Sequence, residues 1–188
     1  VAVRQLHTLR TGRGAAGVVD GGGGVLVVHP RLRLGVLGRC VGGAADDELT
    51  KDRNTAAYAD CDLVPDVLAG VEEIDTSVTI LGRKSALPLI LSPTALQRLF
   101  HWQGERAVAR AAEKYGLWCG ISSLATVSIE EIAALITSPK MFQLYVHKDQ
   151  GLNRSMIERC QAANFDAIAL TVDTIVGGKR ERCARSGF

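Results

Sequence analysis

The fold is read most directly from residues 117–146, LWCGISSLATVSIEEIAALITSPKMFQLYV. An apolar run over residues 117–121 ends at two serines, and a second apolar run follows over residues 141–146. Between them, Ser128 is followed three residues later by Glu131, the pattern of a capping box at the start of a helix. The stretch therefore predicts strand, helix and strand, a unit in which the two strands are parallel and joined by a crossover.

The same order repeats on both sides of this stretch. Upstream, residues 89–92 form a short apolar run, and residues 104–115 have helical spacing of small apolar residues before Gly116. Downstream, residues 152–163 are amphipathic and residues 167–172 form a fourth apolar run. In the third helix, four residues are predicted to face inward: Leu152, Met156, Ile157 and Cys160. A strand-to-strand spacing of about 25 to 30 residues predicts βαβαβαβ order and a parallel sheet with crossover helices.

Polar residues at the end of each predicted strand choose between two α/β architectures, an open doubly wound sheet and a (β/α)8 TIM barrel. They are Pro93, Thr94 and Ala95, then Ser122 and Ser123, then Gln143 and Tyr145, and finally Thr171 and Asp173. An open sheet concentrates its site at one switch point, whereas a barrel draws residues from each strand. The pattern favours the N-terminal half of a (β/α)8 barrel, with about four strands. Upstream, residues 76–87 predict a β-hairpin under the barrel floor, turning at Gly82.

Composition limits the class of protein. The 188 residues are 47% apolar and 22% charged, enough for one globular core, and the net charge of +2 does not favour nucleic acid as a partner. The five cysteines form no CxxC pair, which indicates reduced thiols rather than a disulfide framework or a metal site. No run approaches the roughly 18 apolar residues of a spanning helix. The expected location is cytoplasmic, with docking on the inner face of a membrane still compatible.

Glycine is concentrated near the amino terminus, including the run over residues 21–24. The apolar pieces around it lack helical period and turn chemistry. We therefore interpret residues 1–39 as a Gly-rich segment of uncertain structure and residues 40–188 as the N-terminal half of the barrel.

A series of motifs over residues 40–188 carries a specific resemblance. The motifs are DDELT at 46–50, LSPTA at 91–95, GE at 104–105, ISSLAT at 121–126, FQLYV at 142–146, and LTVDT at 170–174 with Arg180 and Glu181. In order and spacing this series resembles the FMN-dependent α-hydroxy acid dehydrogenases and oxidases, and the pattern is closest to the cytochrome-linked L-lactate dehydrogenases. On that resemblance the chain looks truncated after the fourth barrel strand.

The resemblance implies FMN as cofactor and assigns roles to eight residues. Cofactor binding falls to Pro93, Thr94, Ala95, Ser122, Gln143 and Thr171, and substrate binding to Tyr145 and Arg180. Uncharged side chains and backbone groups match the amide-like donors and acceptors of a flavin ring. A guanidinium matches a carboxylate through a bidentate fork.

The sequence also departs from the family pattern. Cys40 stands where the family usually has a substrate-binding tyrosine, and Cys183 stands where an aspartate is common. The catalytic base, a histidine in the family, is expected downstream, so no catalytic residue is assigned within this chain. His101 and His147 fall at none of the base positions, and His147 is interpreted as a solvated loop residue.

The implied reaction is FMN-dependent oxidation of a small L-2-hydroxy acid such as L-lactate to the 2-oxo acid, incomplete in this chain. The alternative is a non-catalytic half-barrel that serves as a binding or assembly module. Another FMN barrel, such as an isomerase, is disfavoured by Tyr145 and Arg180. The electron acceptor stays open between cytochrome, quinone and oxygen, and a full-length family member is expected to form a homo-oligomer.

Overall fold

The computed structural model describes residues 17–19, 25–27 and 41–186. Its strands are β1 (Gly17–Val19), β2 (Val25–Val27), β3 (Val78–Ile80), β4 (Arg83–Ser85), β5 (Ile90–Leu91), β6 (Trp118–Ser122), β7 (Lys140–Tyr145) and β8 (Ala167–Thr171). Its helices are α1 (Leu49–Ala56), α2 (Glu105–Tyr115), α3 (Ile129–Leu135), α4 (Gln150–Ala162) and α5 (Glu181–Ser186). No helix in this part of the chain is long and apolar enough to cross a membrane.

The chain divides into two compact units, each described by itself. Of the described residues, the first unit contains 41–73 and 177–186, and the second contains 17–19, 25–27 and 74–176. The predicted Gly-rich segment, residues 1–39, lies mostly outside the described residues. Within it, β1 and β2 pair antiparallel.

The second unit is built on a parallel sheet with the strand order β5-β6-β7-β8. Ser122 pairs with Gln143 across β6 and β7, and Tyr145 pairs with Thr171 across β7 and β8. Helices α2, α3 and α4 connect successive strands, so the βαβαβαβ order expected from the apolar runs is confirmed. This register aligns the carboxyl ends of β6, β7 and β8 along one edge of the sheet.

The hydrophobic core lies between the sheet and the three crossover helices. Its members are Ala109, Ala112, Cys119, Ile121, Val127, Ile129, Ile132, Ile136, Phe142, Leu144, Met156 and Cys160. Because side chains alternate along a strand, Ile121 and Phe142 point to this core while their neighbours Ser122 and Gln143 point to the opposite face. Burying a large apolar side chain contributes about 1.5 to 3 kcal/mol, so this layer fixes which face carries the polar residues.

Two helix ends follow the predicted chemistry. Ser128 caps α3 by accepting a hydrogen bond from the backbone N of Glu131 at 3.2 Å. Gly116 ends α2 in the left-handed region at φ 62°. In α4 the prediction that Leu152 faces inward is wrong: it is exposed, and Asn153 is buried instead. Asn153 is held there because its amide bonds to both backbone groups of His147, at 2.8 Å each.

The predicted hairpin is formed by β3 and β4. Its two-residue turn has Leu81 and Gly82 at positive φ, the conformation that matches the strand twist of a tight hairpin. The amide of Ala86, just after β4, donates to the carbonyl of Gly116 at 2.9 Å, and Arg83 forms an ion pair with Asp166 at 2.8 Å. Because those partners lie just ahead of β6 and β8, the hairpin sits at the amino ends of the strands.

The first unit has little buried surface among its described residues. None of residues 41–73 is buried, and Cys183 is the one buried residue that the structure describes in 177–185. Cys183 is disulfide-bonded, so the prediction that all five cysteines are reduced is wrong for this residue. A disulfide compensates for a small core by restricting the unfolded chain. Cys61, Cys119 and Cys160 are free thiols, as predicted.

Candidate functional site

Three of the predicted cofactor residues form one hydrogen-bonded chain across the carboxyl ends of β6, β7 and β8. The Ser122 hydroxyl donates to Gln143 Oε1 at 3.0 Å, and Gln143 Nε2 donates to Thr171 Oγ1 at 2.7 Å. Ser122 and Gln143 are buried, and Thr171 is half-buried. The strand register brings them together, because each is the polar residue near the end of its own strand.

We call Ser122, Gln143 and Thr171 the polar row. The directions of its hydrogen bonds determine which donors the row can offer to a ligand. The amide of Leu124 donates to Ser122 Oγ at 3.1 Å, so the Ser122 hydroxyl both donates and accepts inside the protein. One amide hydrogen of Gln143 and the hydroxyl hydrogen of Thr171 have no acceptor among the described residues. The row therefore presents neutral donors, which suit the carbonyl and ring-nitrogen acceptors of a flavin.

The Pro93–Ala95 segment lies against β6 because residue 120 is a glycine. A Cβ at Gly120 would come within 2.7 Å of the Leu91 carbonyl oxygen and 2.8 Å of the Pro93 nitrogen. Both are backbone atoms, so no side chain fits there without moving a strand. Our reading of the sequence gave Gly120 no role; an isolated glycine inside a strand is the signal that would have found it.

The same segment is fixed from its other side by Gln97. The Gln97 side chain donates to the Thr94 carbonyl at 3.1 Å, and the amide of Leu96 donates to the Leu124 carbonyl at 3.1 Å. Pro93 and Ala95 are half-buried, whereas Thr94 is exposed. The backbone that the resemblance assigns to the flavin is thus held at both ends and accessible in the middle.

Tyr145 is the last residue of β7 and is half-buried. Its backbone N donates to Ser123 Oγ at 3.3 Å, which ties it to the strand end that carries Ser122. His147 follows in an exposed position, as predicted for a solvated loop residue.

Arg180 lies in the first unit, just before α5. One guanidinium nitrogen donates to the Gly43 carbonyl at 2.8 Å, and the neighbouring Lys179 carbonyl accepts from the Asp46 amide at 2.9 Å. Arg180 is exposed. Because Tyr145 belongs to the other unit, their joint role toward a substrate stays a prediction, and Cys40 lies outside the described residues.

The buried thiols of Cys119 and Cys160 are unreactive in this environment. Burial raises the pKa of Cys119 to about 12 and that of Cys160 to about 11. A thiol with so high a pKa carries little thiolate near neutral pH and is a poor nucleophile. Both residues therefore serve as small core side chains, as the sequence indicated.

Several known proteins are similar to this chain over most of its length. The family model described as FMN-dependent dehydrogenase matches residues 37–188. The L-lactate oxidase of Nostoc sp. is 43% identical over 148 residues, which cover 77% of this chain and 40% of that protein. The L-lactate dehydrogenase of Yersinia pestis is 40% identical over 148 residues, covering 79% and 39% respectively.

The crystal structure of a lactate oxidase from Pediococcus acidilactici matches with a TM-score of 0.78 at 34% identity, covering 82% of this chain and 44% of that one. The chain thus spans about 40% of the length of the curated relatives it matches. The predicted fold, the N-terminal half of a (β/α)8 barrel, is confirmed, and so is the resemblance drawn from the motifs. This chain belongs to the FMN-dependent dehydrogenase family.

Proposed function

We propose that this chain supplies half of the flavin wall of an enzyme that oxidises a small L-2-hydroxy acid, such as L-lactate, to the 2-oxo acid. The observation that carries the proposal is the neutral row Ser122–Gln143–Thr171 beside the Pro93–Ala95 backbone. Bound FMN would supply the acceptor for the substrate's two electrons.

The residues present fit a flavin by the chemistry of their donors. Gln143 and Thr171 each offer one hydrogen, and their orientation is set by bonds within the protein rather than by the ligand. Such preorganised donors need little rearrangement when a ligand binds. The hydrogen that Ser122 donates would fix which way the Gln143 amide faces, and the second lone pair of its oxygen would still accept from the cofactor.

Substrate binding is assigned to Tyr145 and Arg180. A guanidinium would hold the substrate carboxylate, and a tyrosine hydroxyl would orient it. The base that removes the hydroxyl proton is expected to be a histidine downstream of the matched motifs. The relatives include a protein named an oxidase and one named a dehydrogenase, so oxygen, quinone and cytochrome all stay candidates for the acceptor. We expect a full-length family member to form a homo-oligomer, either in the cytoplasm or docked on the inner face of a membrane.

A second candidate function is supported by the edges of the sheet. Among the described residues, β5 pairs only with β6 and β8 only with β7. On β8, Ile168 and Leu170 are 42% and 55% exposed. Unpaired edges with apolar side chains favour association, so a half-barrel that acts as a binding or assembly module is the alternative.

The test begins with a chain extended through all eight barrel strands. We expect it to purify with FMN and to lose its flavin absorbance when L-lactate is added without oxygen. Arg180→Lys keeps the charge but loses the bidentate fork, and it should lower kcat/KM by about 10-fold to 150-fold, a loss of about 1.5 to 3 kcal/mol in transition-state stabilisation. An extended protein that binds no FMN, yet forms a stable complex through β8, would favour the assembly module instead.

A further inference from the structure

Glu105 is a fully buried carboxylate whose role the flavin assignment does not explain. It stands in the first turn of α2 at 0% exposure. Oε1 accepts from the backbone N of Gln97 at 3.2 Å and from the backbone N of Thr126 at 2.9 Å. Oε2 accepts from the Thr126 hydroxyl at 2.5 Å. One side chain therefore satisfies three donors that come from two different loops.

These two loops are the ones that carry the proposed flavin contacts. Gln97 follows β5, and its side chain holds the Thr94 carbonyl. Thr126 follows β6 and Ser122, and its hydroxyl also accepts from the backbone N of Arg98 at 3.3 Å. A continuous path of hydrogen bonds thus runs from Glu105 through Gln97 to the Pro93–Ala95 segment.

Gly104 makes this placement of the carboxylate possible. It has φ +53°, and a Cβ at this position would overlap Cγ of Arg98. Glycine tolerates that backbone conformation, which other residues rarely adopt. It lets α2 begin directly behind the loop, so that the Glu105 carboxylate reaches both Gln97 and Thr126.

We propose that Glu105 is a positioning residue of the flavin wall, holding the Pro93–Ala95 segment in its binding conformation through Gln97 and Thr126. The inference rests on the proposed function, since it concerns the same wall. A carboxylate suits this task because its two oxygens accept from all three donors.

Glu113 provides a matched control on the same helix. It also accepts from two backbone amides and one threonine hydroxyl, namely those of Thr137 and Ser138 and the Thr137 side chain, at 2.7 to 2.8 Å. Those partners precede β7 and lie at the amino ends of the strands, away from the flavin row. Losing Glu113 should therefore cost stability without disturbing the wall.

The experiment compares Glu105→Ala, Glu105→Gln and Thr126→Val with Glu113→Ala, using two readouts. The first is amide hydrogen exchange of residues 92–99 in the present chain, which requires no cofactor. We expect Glu105→Ala to lower protection there by about tenfold or more, because buried donors lose their acceptor. Glu105→Gln keeps one acceptor oxygen and should rescue part of the protection. The protection in Thr126→Val should lie between the values for Glu105→Ala and Glu105→Gln.

The second readout is the FMN dissociation constant of the extended protein. Glu105→Ala should raise it about tenfold, while Glu113→Ala should leave it near the wild-type value. Equal exchange at residues 92–99 in Glu105→Ala and Glu113→Ala would overturn the proposal, even if the wild-type extended protein binds FMN. If the wild-type protein binds no FMN, the proposed function fails, and the exchange data still decide whether Glu105 holds the loop. Should Glu105→Ala not fold, Glu105→Gln and Thr126→Val decide in its place.

Discussion

The two units position their site residues by different physical means. In the second unit, Ser122, Gln143 and Thr171 are aligned by strand register and joined by hydrogen bonds, and the first two of these residues are buried. In the first unit, Arg180 stands in a segment with almost no buried side chains, held by backbone bonds, a disulfide at Cys183 and ion pairs. Geometry that follows from backbone pairing is insensitive to salt and surface mutation, whereas geometry that depends on surface charge is not.

The largest effect on stability is expected at Gly120 of β6. Gly120→Val places side-chain atoms into the backbone of Leu91 and Pro93 and should destabilise the chain by about 3 kcal/mol. The measurement is the free energy of unfolding in urea. Gly177→Ala in the first unit is the control, because nothing lies within 4 Å of a Cβ there. Similar losses from both substitutions would contradict the close packing of β6 on the Pro93 loop.

The next effect concerns the polar row. Gln143→Leu keeps the approximate volume but leaves the Ser122 hydroxyl without its acceptor and Thr171 without its donor. We expect the free energy of unfolding to fall by about 2 kcal/mol. The affinity of the extended protein for FMN should also fall. FMN fluorescence quenching measures the affinity. Unchanged affinity together with lower stability would show that the row is structural and not part of the wall.

Part of this geometry could be predicted, because local sequence patterns determine it. The strands and crossover helices followed from apolar period and capping, and the polar row followed from the residues at the strand ends. Gly120 was given no role, although an isolated glycine inside a strand signals close packing. Glu105 entered only as part of a motif, because its contacts join two loops that are distant in sequence. The inward prediction for Leu152 failed because Asn153 is needed to cap the His147 turn. The disulfide at Cys183 was missed because an odd count without CxxC spacing suggested free thiols.

A smaller effect should appear with acid. Hydrogen bonds from Thr137 and Ser138 lower the pKa of Glu113 from 4.5 to about 2. The folded-state pKa is below the unfolded value, so this stabilisation is present above about pH 4.5 and is lost as the pH falls toward 2. After allowance for solvent screening it is about 1 to 2 kcal/mol. Glu113→Gln should therefore be less stable than wild type at neutral pH and converge with it in acid, in thermal melts over that range. A constant gap would contradict the assignment.

The smallest effect is expected for the ion pairs of the first unit. Glu48 contacts Arg182 and Lys51, each at 2.5 Å, and the hydrogen bond from Lys51 lowers its pKa. Because these groups are near the surface, Arg182→Gln should change the melting temperature only slightly, and less in high salt than in low salt. A large loss that persists in high salt would show that the first unit depends on this network more than its exposure suggests.

A crystal structure of the FMN-bound extended protein would locate the flavin directly. We expect the flavin ring to lie against the Pro93–Ala95 backbone, with hydrogen bonds from the Gln143 amide and the Thr171 hydroxyl to its edge. A flavin bound elsewhere, or one that leaves the Ser122–Gln143–Thr171 row facing solvent, would contradict it.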